Sequence, residues 1–299
     1  MKASEKPFLK FLQGTNQFVV PIYQRTYSWT TDECSQFWDD IARTALSTSP
    51  TAAHFVGSIV YIESDLYQVG IVPRLLVIDG QQRLTTLSLL IAALARTIKG
   101  DRDSAEMSHK KLVNYYLFNG EETDNSRYKL MLTQGDRQTL MALVDESELP
   151  HDPARRLVRN FEYFAHKIVT SGLSPDAIFQ GLTRLMIVDI ALDRTHDNPQ
   201  LIFESLNSTG LELTQADLIR NYVLMGLEPV SQERLYKAHW YPMETSFGDE
   251  GYAFYFDRFM RDYLTLRSAA TVLLRVVVGP VMASSSQLSR TLTARATGA

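Results

Sequence analysis

The rhythm of hydrophobic and polar positions changes most sharply between Leu75 and Ile98. Leu75-Leu76-Val77-Ile78 is a continuous apolar run, Asp79-Gly80 interrupts it, and apolar residues then return at Leu84, Leu87, Leu90 or Ile91, Leu94 and Ile98. The run suits a buried strand and the later spacing of three to four residues suits a helix. The stretch therefore predicts a strand that passes through a polar turn straight into a helix.

The remaining pattern supplies the neighbours. Phe18-Val19-Val20-Pro21-Ile22 is β-prone, with Pro21 confining it to an edge or a strand end. Thr30 and Glu33 form a capping-box pattern, opening a helix whose buried stripe is Phe37, Trp38, Ile41 and Ala45. Val56 to Ile62 is a second strand candidate, and a loop containing Gly70 and Pro73 leads from it to the Leu75 run, which predicts a hairpin. From Asp101 to Thr183 the chain reads as helical, with Leu112, Tyr115 and Tyr116, and later Leu157, Phe161, Phe164 and Ile168, at helix spacing. Leu185 to Ile190 predicts another buried strand. Asn198-Pro199 predicts a helix start, with that helix running to about Leu206. Thr214 and Asp217 repeat the capping pattern before Leu218, Ile219, Tyr222 and Val223. These elements together predict an α+β protein: a small mixed-sheet unit followed by a mainly helical region.

Composition narrows the function classes. A chain of 299 residues can bury one large core or two smaller ones, and its net charge of −4 makes no global case for nucleic-acid binding, so any such contact must be local. The single cysteine, Cys34, forms no internal disulfide and no cysteine-based zinc site, and it suits a reducing compartment. Met1 to Gly14 lacks the apolar core of a secretion signal, and the apolar stretch from Leu84 to Ala95 is too short to cross a bilayer. A cytoplasmic protein without a membrane partner is expected.

Candidate chemistry gathers at the turn. A helix N-terminus offers unpaired N–H groups and the positive end of the helix dipole, both of which attract phosphate or carboxylate. Gly80 allows close backbone approach, Arg83 adds a bidentate donor, and Asp79 can hold a metal or orient a water; Gln81 and Gln82 can donate and accept. The competing reading is an Asp-Gly turn with a solvated arginine. In Tyr23-Gln24-Arg25-Thr26-Tyr27-Ser28-Trp29 rings alternate with polar groups, either to stack on a base and bond its edges or to pin a loop by aromatic packing. Asn207 and Thr209 sit in a polar break that either faces a ligand or forms an ordinary corner closed by Gly210. Arg155, Arg156 and Arg159 are close enough together to touch a phosphate backbone, although a solvated helix face is the favoured explanation. Neither a Walker loop nor G-x-G-x-x-G nor H-E-x-x-H occurs.

Read together, Val20 to Trp29, His54 to Val60, Ile78 to Leu87, Phe203 to Gly210 and Asp217 to Asn221 resemble the ordered motifs of GmrSD-type restriction proteins, over roughly residues 8 to 266. The resemblance implies an N-terminal domain of the ParB/sulfiredoxin-like fold that binds and hydrolyses a nucleoside triphosphate, with GTP favoured and Mg²⁺ expected. It also implies service in defence against phage DNA with modified bases or backbone. By motif position, Asp79, Gln81, Gln82 and Arg83 would be catalytic. Tyr23, Gln24, Arg25, Gly80, Thr85, Asn207, Thr209, Arg220 and Asn221 would bind nucleotide or sense DNA. Many members of the family continue into an HNH nuclease domain that is not recognisable here, so cutting would fall to a separate subunit or would have been lost. A sensor that binds modified DNA or nucleotide without turnover, and an inactive truncated remnant, are the alternatives.

The expected organisation is a ParB/sulfiredoxin-like nucleotide-binding unit over 1–100, a helical region over 101–266, and an atypical, disordered or truncated tail over 267–299. The tail is set apart because no acidic residue follows Asp262 and no aromatic follows Tyr263.

Overall fold

The computed structural model describes residues 1–49, 52–63, 72–99, 108–193, 196–197, 202–203, 214–225, 227–247 and 255–268. The start expected at Asn198, the break at Asn207 to Gly210 and the tail beyond Ser268 lie outside these residues. Contacts divide the chain into two compact units, Met1–Leu206 and Asn207–Ala299.

The first unit is α+β. In chain order it contains β1 (Lys2–Pro7), α1 (Phe8–Leu12), β2 (Gln17–Val19), α2 (Thr31–Leu46), β3 (His54–Glu63), β4 (Arg74–Asp79) and α3 (Gln81–Ile98). A short helix, α4 (His109–Leu112), then runs into a π-helical segment, Val113–Leu117. These are followed by β5 (Leu130–Met131), α5 (Gln134–Asp145), α6 (Arg155–Thr170), α7 (Pro175–Thr183) and β6 (Leu185–Leu192). The strands form one mixed sheet in the order β1-β6-β3-β4-β2-β5. β3 and β4 pair antiparallel as the predicted hairpin, whereas β6 lies parallel to β3 and antiparallel to β1.

Local signals act where they were expected. Thr30 and Glu33 close a full capping box at α2. β2 stops at Val19, just before Pro21, whose missing N–H cannot extend a ladder. Leu157, Phe161, Phe164 and Ile168 all point inward from α6.

Burial around α3 is wider than its period predicts. Besides the expected stripe, Thr85, Thr86, Ser88, Leu89, Ala92, Ala93 and Ala95 are buried, so the helix is enclosed on nearly all sides. Its polar residues tolerate this because their hydroxyls are paired: Thr85 Oγ1 donates to Gln81 O at 2.8 Å, Ser88 Oγ to Leu84 O at 2.9 Å, and Thr86 Oγ1 meets the Tyr27 hydroxyl at 2.7 Å. Leu75 and Val77 of β4, Ile59 and Tyr61 of β3, and Leu185 and Ile187 of β6 join α3 in the main core. This alternation is the pleat of the sheet.

The second unit contains helices Gln215–Met225, Pro229–Leu235, Tyr241–Thr245 and Asp257–Ser268, with a π-helical turn at Tyr236–Trp240. Thr214 and Asp217 form the expected reciprocal cap, their side chains accepting from each other's N–H at 3.1 and 3.3 Å. The inward face of that helix is largely polar. Tyr222 is exposed, and Ala216, Asp217, Arg220, Asn221 and Leu224 are buried. The buried face holds an ion pair: Arg220 bonds the buried Asp217 at 2.7 Å and the half-buried Glu244 at 2.5 Å. Among the described residues no helix is long and apolar enough to cross a membrane.

Candidate functional site

The Asp79-Gly80 break becomes a tight hand-over from β4 to α3. Gly80 is the N-cap of α3 with φ +96°, and a Cβ there would lie 2.4 Å from Ile59 Cδ1 and 3.0 Å from Ser58 O. Left-handed backbone and missing space both demand glycine. Because glycine carries no side chain, it offers no side-chain cap, and the first intrahelical acceptor is Gly80 O, taken by Leu84 N at 3.0 Å. The N–H groups of the first turn thus face the turn without a side-chain acceptor from the cap, the arrangement that receives anions.

Arg83 is held beside this terminus by β3. Its guanidinium lies over Gly57, where a Cβ would come within 2.6 Å of Nε and 2.7 Å of Cζ, and Nη1 donates to Ser58 O at 3.2 Å. The same Nη1 is 3.7 Å from Asp79 Oδ2, and both side chains remain partly exposed. Gly57 has φ +117° and sits where the β3–β6 register shifts between Phe55 and Ser58. An extra residue in one strand bends it locally, and here the bend receives a charged plane. Sequence reading did not single out Gly57; a glycine inside a strand pattern was the available sign of a close approach.

The three glutamines face inward to brace the neighbouring loop. Gln24 is buried and donates through Nε2 to Val77 O at 2.6 Å and Ile78 O at 3.0 Å, on the part of β4 that β2 no longer reaches. Gln81 Nε2 donates to Arg25 O at 2.9 Å. Gln82 Oε1 accepts from Ser28 N at 2.9 Å and Trp29 N at 3.2 Å. The loop from Tyr23 to Trp29 is thereby stitched to the start of α3.

Other elements clamp the same loop. Asp136 on α5 accepts from Tyr27 N at 2.5 Å, Asn160 on α6 donates to Tyr27 Oη at 3.1 Å and Trp29 O at 2.9 Å, and Arg156 on α6 donates to Ser28 O at 3.0 Å. Burial pushes the Tyr27 phenol far above its usual range, so it stays a neutral hydrogen-bonding group. Cys34, also buried, has its thiol pushed up to about 11 by desolvation, which makes it an inert packing residue.

The expected site residues therefore fall into groups. Asp79, Gly80, Gln81, Gln82 and Arg83 meet at one junction, with Gln24 and Arg25 joined to it by the bonds above. Tyr23 and Thr85 are buried, at 5% and 0% exposure. Thr85 spends its hydroxyl on the helix backbone. Arg220 and Asn221 belong to the second compact unit, and Asn207 and Thr209 lie outside the described residues. Among the described residues no group of three or more His, Cys, Asp or Glu could hold a metal ion.

An α+β protein is thus defined, in which one strand hands over through glycine to a buried helix and an arginine–aspartate pair flanks the hand-over. Residues 8–224 match the family model described as the GmrSD restriction endonuclease, N-terminal domain, and the chain belongs to that family. Its role accordingly lies in a restriction system. A comparison with curated proteins finds no match.

Proposed function

We propose that this chain binds and hydrolyses a nucleoside triphosphate, GTP in first place, as the nucleotide-dependent component of a modification-dependent anti-phage restriction system. The observation that carries the reading is the Asp79–Arg83 pair at a helix start that has no side-chain cap, with Gly57 making room for the guanidinium.

The terminal phosphate would sit against the first-turn N–H groups of α3, with Arg83 on its equatorial oxygens. Charge grows on those oxygens as water adds to phosphorus and the bond to the leaving diphosphate breaks, its electron pair departing with the diphosphate. Fixed donors stabilise that charge without reorganising. Asp79 orients the attacking water, whose protons pass to phosphate oxygen and solvent. Gln81 and Gln82 act as positioning residues, because they hold the loop that closes the junction. Mg²⁺ beside phosphates commonly takes only one or two protein carboxylates, and the partly exposed Asp79 fits as a single one; the ion would neutralise phosphate charge. DNA cutting is assigned to a nuclease partner, an HNH subunit in the first instance.

A second reading, binding without turnover, is favoured by the bonds from Gln81 to Arg25 and from Ser28 and Trp29 to Gln82. Through them an anion at α3 would register directly in the loop from Tyr23 to Trp29, as a sensor of nucleotide or modified DNA requires.

Phosphate release from GTP, ATP and CTP with Mg²⁺ decides between these readings, using the chain beside Asp79→Ala and Arg83→Ala under matched folding checks. Turnover abolished by both substitutions supports hydrolysis. Binding without release in the unsubstituted chain selects the sensor, and release that survives both substitutions removes the junction from the chemistry.

A further inference from the structure

The first turns of α6 are charged against their own helix. Arg155, Arg156 and Arg159 are exposed there, the first turn holds no acidic residue, and Ala154 supplies no side-chain cap. Cations at a helix N-terminus are disfavoured by roughly 0.3–1 kcal/mol each. An ordinary solvated face would recover part of this through nearby carboxylates; Arg156 does act on the Glu33 carboxylate, helping to hold it below its usual range, but among the described residues none of the three arginines forms a close ion pair. In the same unit Arg43 and Lys99, by contrast, are neutralised, by Asp40 at 2.6 Å and Glu146 at 2.6 Å.

The placement of this patch is also specific. Arg156 reaches Ser28 O, and Asn160, on the next turn, reaches Trp29 O, so the arginine-bearing end of α6 is fastened to the loop that Gln81 and Gln82 fasten to α3. A polyanion lying along Arg155 and Arg159 would therefore run beside the loop carrying Arg25.

We propose that Arg155, Arg156 and Arg159 form a contact surface for the phosphate backbone of duplex DNA. The commitment to DNA follows from the chain's membership of a restriction family and from the geometry of guanidinium groups, which pair with phosphate oxygens in a bidentate manner. The contact is to backbone and not to bases, so it positions duplex DNA of any sequence and leaves discrimination of modification to other residues. It does not depend on nucleotide hydrolysis at Asp79 and Arg83.

The test is fluorescence anisotropy of a labelled, unmodified duplex of about 20 base pairs, titrated with the full chain between 50 and 200 mM salt, ranges in which counterion release is readily measured. Arg155→Gln/Arg159→Gln is compared with a control, Lys10→Gln/Lys110→Gln, which removes the same charge from other exposed positions. The arginine variant is expected to weaken binding about tenfold at low salt and to lower the slope of log affinity against log salt by about 2, one unit for each lost phosphate contact. Its thermal midpoint should hold or rise, because charge opposing the dipole has been removed; this separates lost contact from lost fold. No binding by the unsubstituted chain at 50 mM salt, or equal slope changes in the arginine variant and the lysine control, would overturn the proposal.

Discussion

Replacing Gly57 by alanine tests how β3 positions Arg83, independently of any ligand. The new methyl carbon would lie 2.6 Å from Nε, 2.7 Å from Cζ and 2.9 Å from Nη2 of Arg83, at a residue whose φ is +117°. Holding a non-glycine residue in such backbone costs on the order of 1–3 kcal/mol. The guanidinium is the flexible end of a partly exposed side chain, so it swings away and gives up its bond to Ser58 O, worth about 1 kcal/mol. Gly57→Ala should therefore destabilise by about 2–4 kcal/mol, and Arg83→Ala, which loses the bond alone, by about 1 kcal/mol.

In the double variant the methyl meets no guanidinium. Only the backbone strain and the bond already lost remain, so the double should be less destabilised than the sum of the singles by about 1 kcal/mol, beyond the 0.3–0.5 kcal/mol scatter typical of independent sites. Equilibrium urea unfolding of the four proteins measures the cycle. Strict additivity would show that Gly57 does not seat Arg83 and would remove the geometric basis of the candidate site.

Three further outcomes are expected. Tyr27→Phe deletes the hydroxyl shared by Thr86 and Asn160, leaving buried polar groups short of a partner, and should cost about 1–3 kcal/mol in urea unfolding. Lys129 is buried and desolvation pushes its ammonium down to about 8, well below its unfolded value. Lys129 therefore binds fewer protons in the folded state than in the unfolded one between about pH 8 and 10 and contributes up to about 1.4 kcal/mol of stability per unit there, opposed by the raised Cys34 thiol and Tyr27 phenol, so the stability of the unsubstituted chain relative to Lys129→Met should rise with pH across that window. Arg220→Ala removes the cation that the Asp217 and Glu244 carboxylates share and should cost the helical unit about 3–5 kcal/mol, read as lost amide-exchange protection over Gln215–Met225; undiminished protection would argue against the buried arginine's role.

Sequence alone determined what depends on neighbours along the chain. The strand end at Asp79, the glycine cap, the capping boxes at Thr30 and Thr214, the inward face of α6 and the β3–β4 hairpin follow from periodicity, turn chemistry and side-chain reach over a few residues. Membership of the restriction family was legible for a related reason: its motifs are short, ordered stretches of this kind.

Tertiary structure decided which residues meet across long separations. β6 inserts between β1 and β3 although more than 120 residues separate it from β3. Gly57 receives Arg83 from another element, and on the helix Gln215–Met225 the charged Asp217 and Arg220 are buried while Tyr222 is exposed. The glutamines are the clearest case. Composition makes Gln24, Gln81 and Gln82 equally able to touch a ligand or the chain, and only packing assigned their amides to the Val77, Ile78, Arg25, Ser28 and Trp29 backbone. A buried amide takes whichever partner the fold brings within reach, because leaving it unpaired costs more than any local preference can offset.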